Sequence, residues 1–536
     1  MRIAPRALVG LVAVTALAVA LAWTQRFVCD DAFISFVYAR SLARGEGLAW
    51  FGERVEGYTN FSWVLFSAVG HRLGVEPVRW AWAGSLTALA VTMVATFGLA
   101  ARRTGLVAAF TALALLATNY TFLAFGTSGL ETMLQTALLT VAAWLTERTV
   151  DEEPRVGVLG GLSTVMALAL WTRLDSAVYG VVLGVVVARR LVVTRAGARL
   201  WAAAVAPSLA LVGGWLLWKH GYYGSILPNT FHAKTAFGLA SVRTGGLHLA
   251  RFLRAYGLGI ALVVGALIAR RRTVRSARML ALSLAWVAYV VVVGGDFMEF
   301  RFFVPVMPVT FVALAEMCTV EDASSRMPRP GLRAGLLASL CAVASAFQGF
   351  DGASADDRSM DTIANMAGFY GRVEDGDWAR FGRPLRRVLE GSGATLASNG
   401  AGCIPYYADL PTVDQLGLVD PWVARHGVRP PPEYPRPGHQ RFAPLSYLSA
   451  RRVTFVIGSP LVVPRGALLG ADADVLAERW PFRALTYAAQ PLRRFTLVGV
   501  PLDDARVLVM WYLTPTEEIS RRIRAAGWEL AEFPRR

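Results

Sequence analysis

Apolar runs of membrane-spanning length recur through the first two-thirds of this 536-residue chain, and that recurrence limits its fold more than any other feature. In hydrocarbon each backbone N–H and C=O must be paired within the protein, so a series of such runs means a bundle of transmembrane helices. Read with a window of roughly twenty residues, residues 1–350 divide into about eleven spans: 7–23, 80–101, 105–122, 130–146, 156–172, 176–188, 200–218, 256–269, 279–295, 302–319 and 334–348. Several are short for a hydrocarbon core of about 30 Å and need flanking residues or tilt. Arg2 and Arg6 ahead of the first run resemble the start of a signal peptide, but further spans follow, and the run reads as a retained anchor. The composition, 55% hydrophobic against 17% charged with a mean hydropathy of +0.44, excludes an ordinary soluble enzyme.

The net charge of +16 would raise nucleic acid as a partner of a soluble protein. Here the arginines collect between alternate spans: Arg2 and Arg6, Arg102 and Arg103, Arg148 and Arg155, Arg189 to Arg199, Arg270 to Arg278, and Arg326 to Arg333. That pattern sets orientation rather than nucleic-acid binding. It places the amino terminus inside, and eleven crossings put everything after about residue 349 outside. The four cysteines, Cys29, Cys318, Cys341 and Cys403, show no paired short spacing and define neither a zinc site nor a disulfide framework.

Residues 350–536 differ in composition. Short β-branched runs, Arg452–Ile457 and Arg506–Met510, and a helical pattern over Thr516–Ala525 predict a compact α/β domain, joined by the acidic linker 351–358. The expected architecture is therefore a polytopic α-helical membrane protein of about eleven transmembrane helices, residues 1–349, followed by an extracytoplasmic α/β domain, residues 350–536.

The candidate chemistry lies between the spans on the outer side. The long outer loop 24–79 carries Asp30 and Asp31, then Glu53, Glu56, Tyr58 and Asn60. Adjacent carboxylates beside a membrane are costly to desolvate, which suits a base or a metal ligand; they equally suit the first turn of a helix, where the dipole favours negative charge. Later outer connections bring Glu131, Arg173 with Asp175, Asn229 with His232 and Lys234, and Asp296 with Arg301. Lys219 and Lys234 read as belonging to one outer loop; a lysine suits a phosphate, or snorkels to lipid headgroups, and an arginine offers a bidentate fork. His232 has no helical metal-ligand spacing and reads as a polar loop residue. Trp50, Tyr58 and Trp63 fit either sugar stacking or an interfacial aromatic belt. In the carboxyl-terminal region, Ser398–Cys403 reads as a strand that enters a helix through Asn-Gly-Ala-Gly and offers backbone amides to an anion or a sugar hydroxyl, followed by Asp414 to Asp420.

The segment from Asp30-Asp31-Ala-Phe-Ile-Ser to Gly52-Glu-Arg-Val-Glu-Gly-Tyr-Thr-Asn-Phe-Ser-Trp63 resembles the first outer loop of the GT-C glycosyltransferases, and within them the terminal arabinofuranosyltransferases. Ser128–Thr132, Arg173–Asp175, Pro228–Lys234, Gly294–Pro308 and Tyr406–Asp420 extend the resemblance over nearly the whole chain. It implies an enzyme of the bacterial cytoplasmic membrane that moves a sugar, with arabinofuranose one candidate, from a polyprenyl phosphate donor to an envelope glycan or lipid. A first-loop carboxylate would then act on the acceptor, mapping onto Asp30 or Asp31, with Lys234, Arg173 and Arg301 on the donor phosphate. Glu53, Glu56, Tyr58, Asn60, Glu131, Asp175, Asn229 and Asp296 would hold sugar or acceptor, and a divalent cation is left open. The alternative is a non-catalytic envelope or flagellar-motor-associated protein that retains the fold.

Overall fold

The structure, a computed structural model, describes residues 4–234, 238–257, 274–319, 330–351, 360–370, 377–429, 441–468 and 494–534. Helices occupy each expected span except 256–269, which lies almost wholly outside the described residues, as does the linker. Among the described residues six helices are long and apolar enough to cross a membrane: Pro5–Thr24, Pro77–Arg102, Leu174–Val193, Ala198–Tyr223, Arg301–Thr319 and Gly331–Gly349. The span 80–101 and most of the span 105–122 belong to one helical run, Pro77–Ala117, which leaves the helical region only at Gly105, with φ of +82°; residues 120–122 open the next helix, Tyr120–Phe125. Of the helix Ala198–Tyr223 only Trp215 and Lys219 are buried; Ser208 bonds Ser163 of the helix Val156–Thr172, while Val205, Leu209 and Leu217 remain more than half exposed and are left for lipid.

The segment 24–79 is largely helical rather than a loop. Asp30–Ala43 forms a helix buried on almost every side, and Phe61–Arg72 forms a second. The stretch between them is pinned by Tyr38, whose hydroxyl donates to the Val55 carbonyl at 2.7 Å and accepts from the Gly57 amide at 3.0 Å. That fixes the approach to Tyr58 and Asn60. Trp63 is 1% exposed and donates to the Gly129 carbonyl at 3.0 Å, while Trp50 is 2% exposed and donates to the Thr412 carbonyl at 2.8 Å. Both indoles therefore serve as internal ties, neither at a lipid interface nor in reach of a sugar.

The carboxyl-terminal region builds a six-stranded sheet in the order β2-β1-β3-β5-β4-β6, with β1 Leu396–Ser398, β2 Thr412–Asp414, β3 Phe455–Pro464, β4 Arg494–Pro501, β5 Arg506–Tyr512 and β6 Glu529–Pro534. The first three strands are parallel and the rest antiparallel. In β5 the side chains of Val507, Val509 and Trp511 enter one apolar core and those of Leu508, Met510 and Tyr512 the other, the period of two that buries both faces of a strand. Ile519 and Ile523, four apart on the helix Glu517–Ala525, join Leu385 and Leu389 of the helix Asp377–Leu389 over one face.

This region sits directly on the segment 24–79. Arg40 pairs with Asp409 at 2.8 Å and donates to the Tyr406 carbonyl at 2.7 Å, and Arg44 also reaches Asp409, at 3.0 Å. Ala401, Cys403, Tyr406, Leu418 and Val419 belong to the same apolar core as the membrane helices. Burial is thus continuous across the junction.

Candidate functional site

The two adjacent aspartates have different fates. Successive residues of a helix point about 100° apart, and in the first turn of Asp30–Ala43 this sends them to opposite surroundings. Asp30 is 6% exposed and takes the backbone amides of Gly402 and Cys403 at 3.0 and 2.6 Å. The anion that the strand-to-helix turn Ser398–Cys403 receives is thus the chain's own carboxylate. A Cβ at Gly402 would lie 1.8 Å from the Asp30 carbonyl oxygen, so only glycine permits this approach. Burial pushes Asp30 up to about 7, a rise that the two amide bonds oppose and the Asp31 charge reinforces.

Asp31 instead lines a cavity of about 390 Å³ and has no hydrogen-bond or ion-pair partner among the described residues. The cavity gathers Tyr58, Asn60, Glu131, Arg173, Asp175, Lys234, Asp296 and Arg301 around it. Outer connections far apart in sequence therefore meet in one space.

Most charges in it are committed to one another. Arg173 donates to Glu131 at 2.9 Å and to Asp175 at 2.8 Å, engaging all its nitrogens. Glu131 also accepts from Asn60 at 2.8 Å, and Asn60 is held by Ser35 at 2.9 Å. Asp175 further accepts from Gln135 at 2.6 Å and Tyr289 at 3.2 Å. Arg301 pairs through Nε with Asp296 at 2.6 Å, leaving its terminal nitrogens without a partner among the described residues. Lys234 lines the cavity, is exposed to it, and likewise has no partner there. The protein packed around Lys234 lowers its pKa, and the Asp31 carboxylate acts in the opposite direction. One free carboxylate thus faces one free ammonium and an arginine fork.

Four expected site residues lie elsewhere. Asp30 backs the cavity as described. Glu53 is ion-paired with Arg451 at the edge of the sheet region. Glu56 is buried in a pair with Lys219 at 2.9 Å; burial raises it to about 7 while the ammonium opposes. Lys219 is consequently in the helix Ala198–Tyr223, fully buried, and not a loop cation. Asn229 donates from Nδ2 to the carbonyls of Gly417 and Leu418 at 2.8 and 3.0 Å, and from its amide to Glu56 at 2.8 Å. His232 does not line the cavity.

Sequence reasoning missed Gln135, Tyr289 and Leu418. Gln135 had a signal: it stands four residues after Glu131, on the same face of the helix Thr132–Asp151. Tyr289 had none, and Leu418 lies in the marked segment Asp414 to Asp420, where its apolar side chain does not stand out. Leu418 is carried into the cavity by the loop 415–419, whose amides at Leu416, Leu418 and Val419 are taken by the buried Asp414 at 2.8, 2.5 and 3.1 Å.

The arrangement offers a carboxylate free to accept a proton and cations free to take a phosphate. It also has an apolar exit, since Leu227 and Phe231 line the cavity yet remain 42% and 39% exposed beside the lipid-facing helix Ala198–Tyr223. Among the described residues no three His, Cys, Asp or Glu side chains form a group able to hold a metal ion. Glu131, Asp175 and Asp296 are already committed to arginines.

Residues 370–507 match a family model described as a domain of unknown function, DUF8728. Two curated relatives are both named terminal beta-(1->2)-arabinofuranosyltransferase. The protein from Mycobacterium tuberculosis (strain ATCC 25618 / H37Rv) is 29% identical over 282 residues, covering 47% of this chain and 42% of the relative. That from Corynebacterium glutamicum is 26% identical over 324 residues, covering 52% and 46%. The chain thus spans less than half the length of either relative. Among solved structures, ArnT from Cupriavidus metallidurans bound to undecaprenyl phosphate superposes with a TM-score of 0.58 at 14% identity, covering 95% of this chain and 98% of that one. Mycobacterial arabinofuranosyltransferase AftD gives 0.51 at 14% identity, covering 96% and 40%. The GT-C resemblance read from the sequence is borne out, and the fold is that of these polytopic membrane glycosyltransferases.

Proposed function

We propose that the chain is a membrane glycosyltransferase that takes a sugar from a polyprenyl phosphate donor and passes it to an envelope glycan or lipid. The observation that carries this reading is the unpaired set in the cavity, Asp31 against Lys234 and the free end of Arg301, beside an apolar exit at Leu227 and Phe231. A lipid-linked phosphodiester needs both at once: cations for the headgroup and an opening to hydrocarbon for the tail.

In the reaction the acceptor hydroxyl oxygen forms a bond to the anomeric carbon while the bond from that carbon to the phosphate oxygen breaks. The phosphate departs with the electron pair, its charge met by Lys234 and Arg301. The hydroxyl proton passes to the Asp31 carboxylate. The Arg173 clamp, with Glu131, Asp175 and Asn60, shapes the wall against which the sugar rests. Its groups are mutually satisfied and therefore rigid. The similarity to terminal arabinofuranosyltransferases supports arabinofuranose as the sugar.

The same reading assigns residues 1–349 to a membrane unit of about eleven crossings and residues 350–536 to an α/β unit. The alternation of arginine-rich connections supports an amino terminus inside and the sheet outside the bacterial cytoplasmic membrane. The test is incubation of purified protein with a labelled polyprenyl-phospho-sugar and acceptor. Release of polyprenyl phosphate with label on the acceptor is expected. Binding of the donor without turnover would favour the non-catalytic alternative.

A further inference from the structure

Phe302 directly follows Arg301 in the 3₁₀ helix Arg301–Val306 and lines the central cavity. Its ring meets two cations at once: the guanidinium carbon of Arg301 lies over it at 5.1 Å from the centroid, and that of Arg173 at 5.3 Å. Both are inside the roughly 6 Å within which the electron-rich face of an aromatic ring attracts a cation, an attraction that grows as the cation loses its water. The two arginine side chains are only 7% and 17% exposed, so little solvent screens either that attraction or their mutual repulsion. The backbone beneath the ring is fixed. The Phe302 carbonyl accepts from the Trp286 indole at 2.7 Å, and Trp286, itself buried, packs edge-on against Tyr179 with centroids 5.6 Å apart.

The two arginines differ in what else holds them. Arg173 has a carboxylate at each of its nitrogens and keeps its place without the ring. Arg301 is held through Nε alone, by Asp296 at 2.6 Å. One hydrogen bond fixes a point of a guanidinium but not its plane, and the Phe302 face supplies the second restraint. We propose that Phe302 is a positioning residue: its ring, shared by Arg173 and Arg301, sets the plane of the Arg301 guanidinium so that the terminal nitrogens meet the donor phosphate. This rests on the reading of the cavity as a phosphate site. An aliphatic side chain of similar bulk would fill the same space without offering an electron-rich face.

The test is equilibrium binding of labelled undecaprenyl phosphate to the full-length protein in detergent, with Phe302 replaced in turn by mono-, di- and trifluorinated phenylalanine and by leucine. Each fluorine draws electron density from the ring face and leaves its shape nearly unchanged, so the series varies the attraction at constant packing. Kd is expected to rise stepwise with fluorine number and by roughly tenfold for Phe302→Leu. The steps should vanish in an Arg301→Met background, where Lys234 still holds the phosphate. A Kd insensitive to fluorine overturns the proposal, and so does a stepwise rise that survives Arg301→Met, which would make Arg173 the partner that matters. If the unaltered protein binds no undecaprenyl phosphate, the phosphate reading of the cavity falls and the proposal with it. If binding shows the fluorine dependence but no sugar is ever transferred, the positioning role stands and the catalytic reading alone falls.

Discussion

At the scale of single residues the structure separates two carboxylates that the sequence presents as equivalent. Asp31→Asn should cost roughly 10²–10⁴-fold in transfer, the usual worth of a positioned base, with thermal stability unchanged. Asp30→Ala should act on stability, because it strands two buried amides at about 1–3 kcal/mol each. It should show as a lower Tm in detergent. A pH dependence follows from the same environment. Asp30 and Asp414 are each pushed by burial from 3.8 to about 7. A carboxyl whose folded pKa exceeds its unfolded value binds more protons when folded, so stability should fall as pH rises from about 4 to 7 and then level off. Asp30→Asn should flatten that fall; an unchanged slope would show that Asp30 is not the titrating group. Which aspartate faces the cavity was unreadable because it depends on a contact 372 residues away, with Gly402. Glu131, Arg173, Asp296 and Arg301 were readable because ionisable groups beside apolar spans stand out against their surroundings.

At the scale of elements, the cavity is assembled by segments that hold one another. The turn Ser398–Cys403 grips the first turn of the helix Asp30–Ala43, and Asn229 grips the loop 415–419. Gly402→Ala places a methyl group where the Asp30 carbonyl stands and should reduce expression and Tm together. Asn229→Ala should leave the fold intact but release Leu418, raising KM for acceptor with little change in donor binding. Equal losses for both substrates would argue against a role confined to that loop. The spans and the strands β3 and β5 were legible from apolar runs and β-branched clusters. The helix Asp30–Ala43 within 24–79 was not, because it is buried on almost every side and carries no one-sided apolar period.

For the whole molecule, the α/β region is part of the site: it supplies Leu418 to the cavity wall and locks Asp30 from behind. Sequence composition could mark this region as distinct, but not as packed continuously with the membrane helices. The positive-inside orientation predicts that a cysteine at Asp503, in the exposed turn between β4 and β5, reacts with an impermeant thiol reagent from the periplasmic side. One in the arginine-rich stretch 189–199 should be protected. The central claim is that Asp31, not Asp30, acts on the substrate. The most direct measurement is single-turnover release of polyprenyl phosphate by Asp31→Asn and Asp30→Asn proteins of equal Tm-corrected folded fraction. The account predicts that the first is silent and the second still turns over; release by Asp31→Asn at the unaltered rate would contradict it.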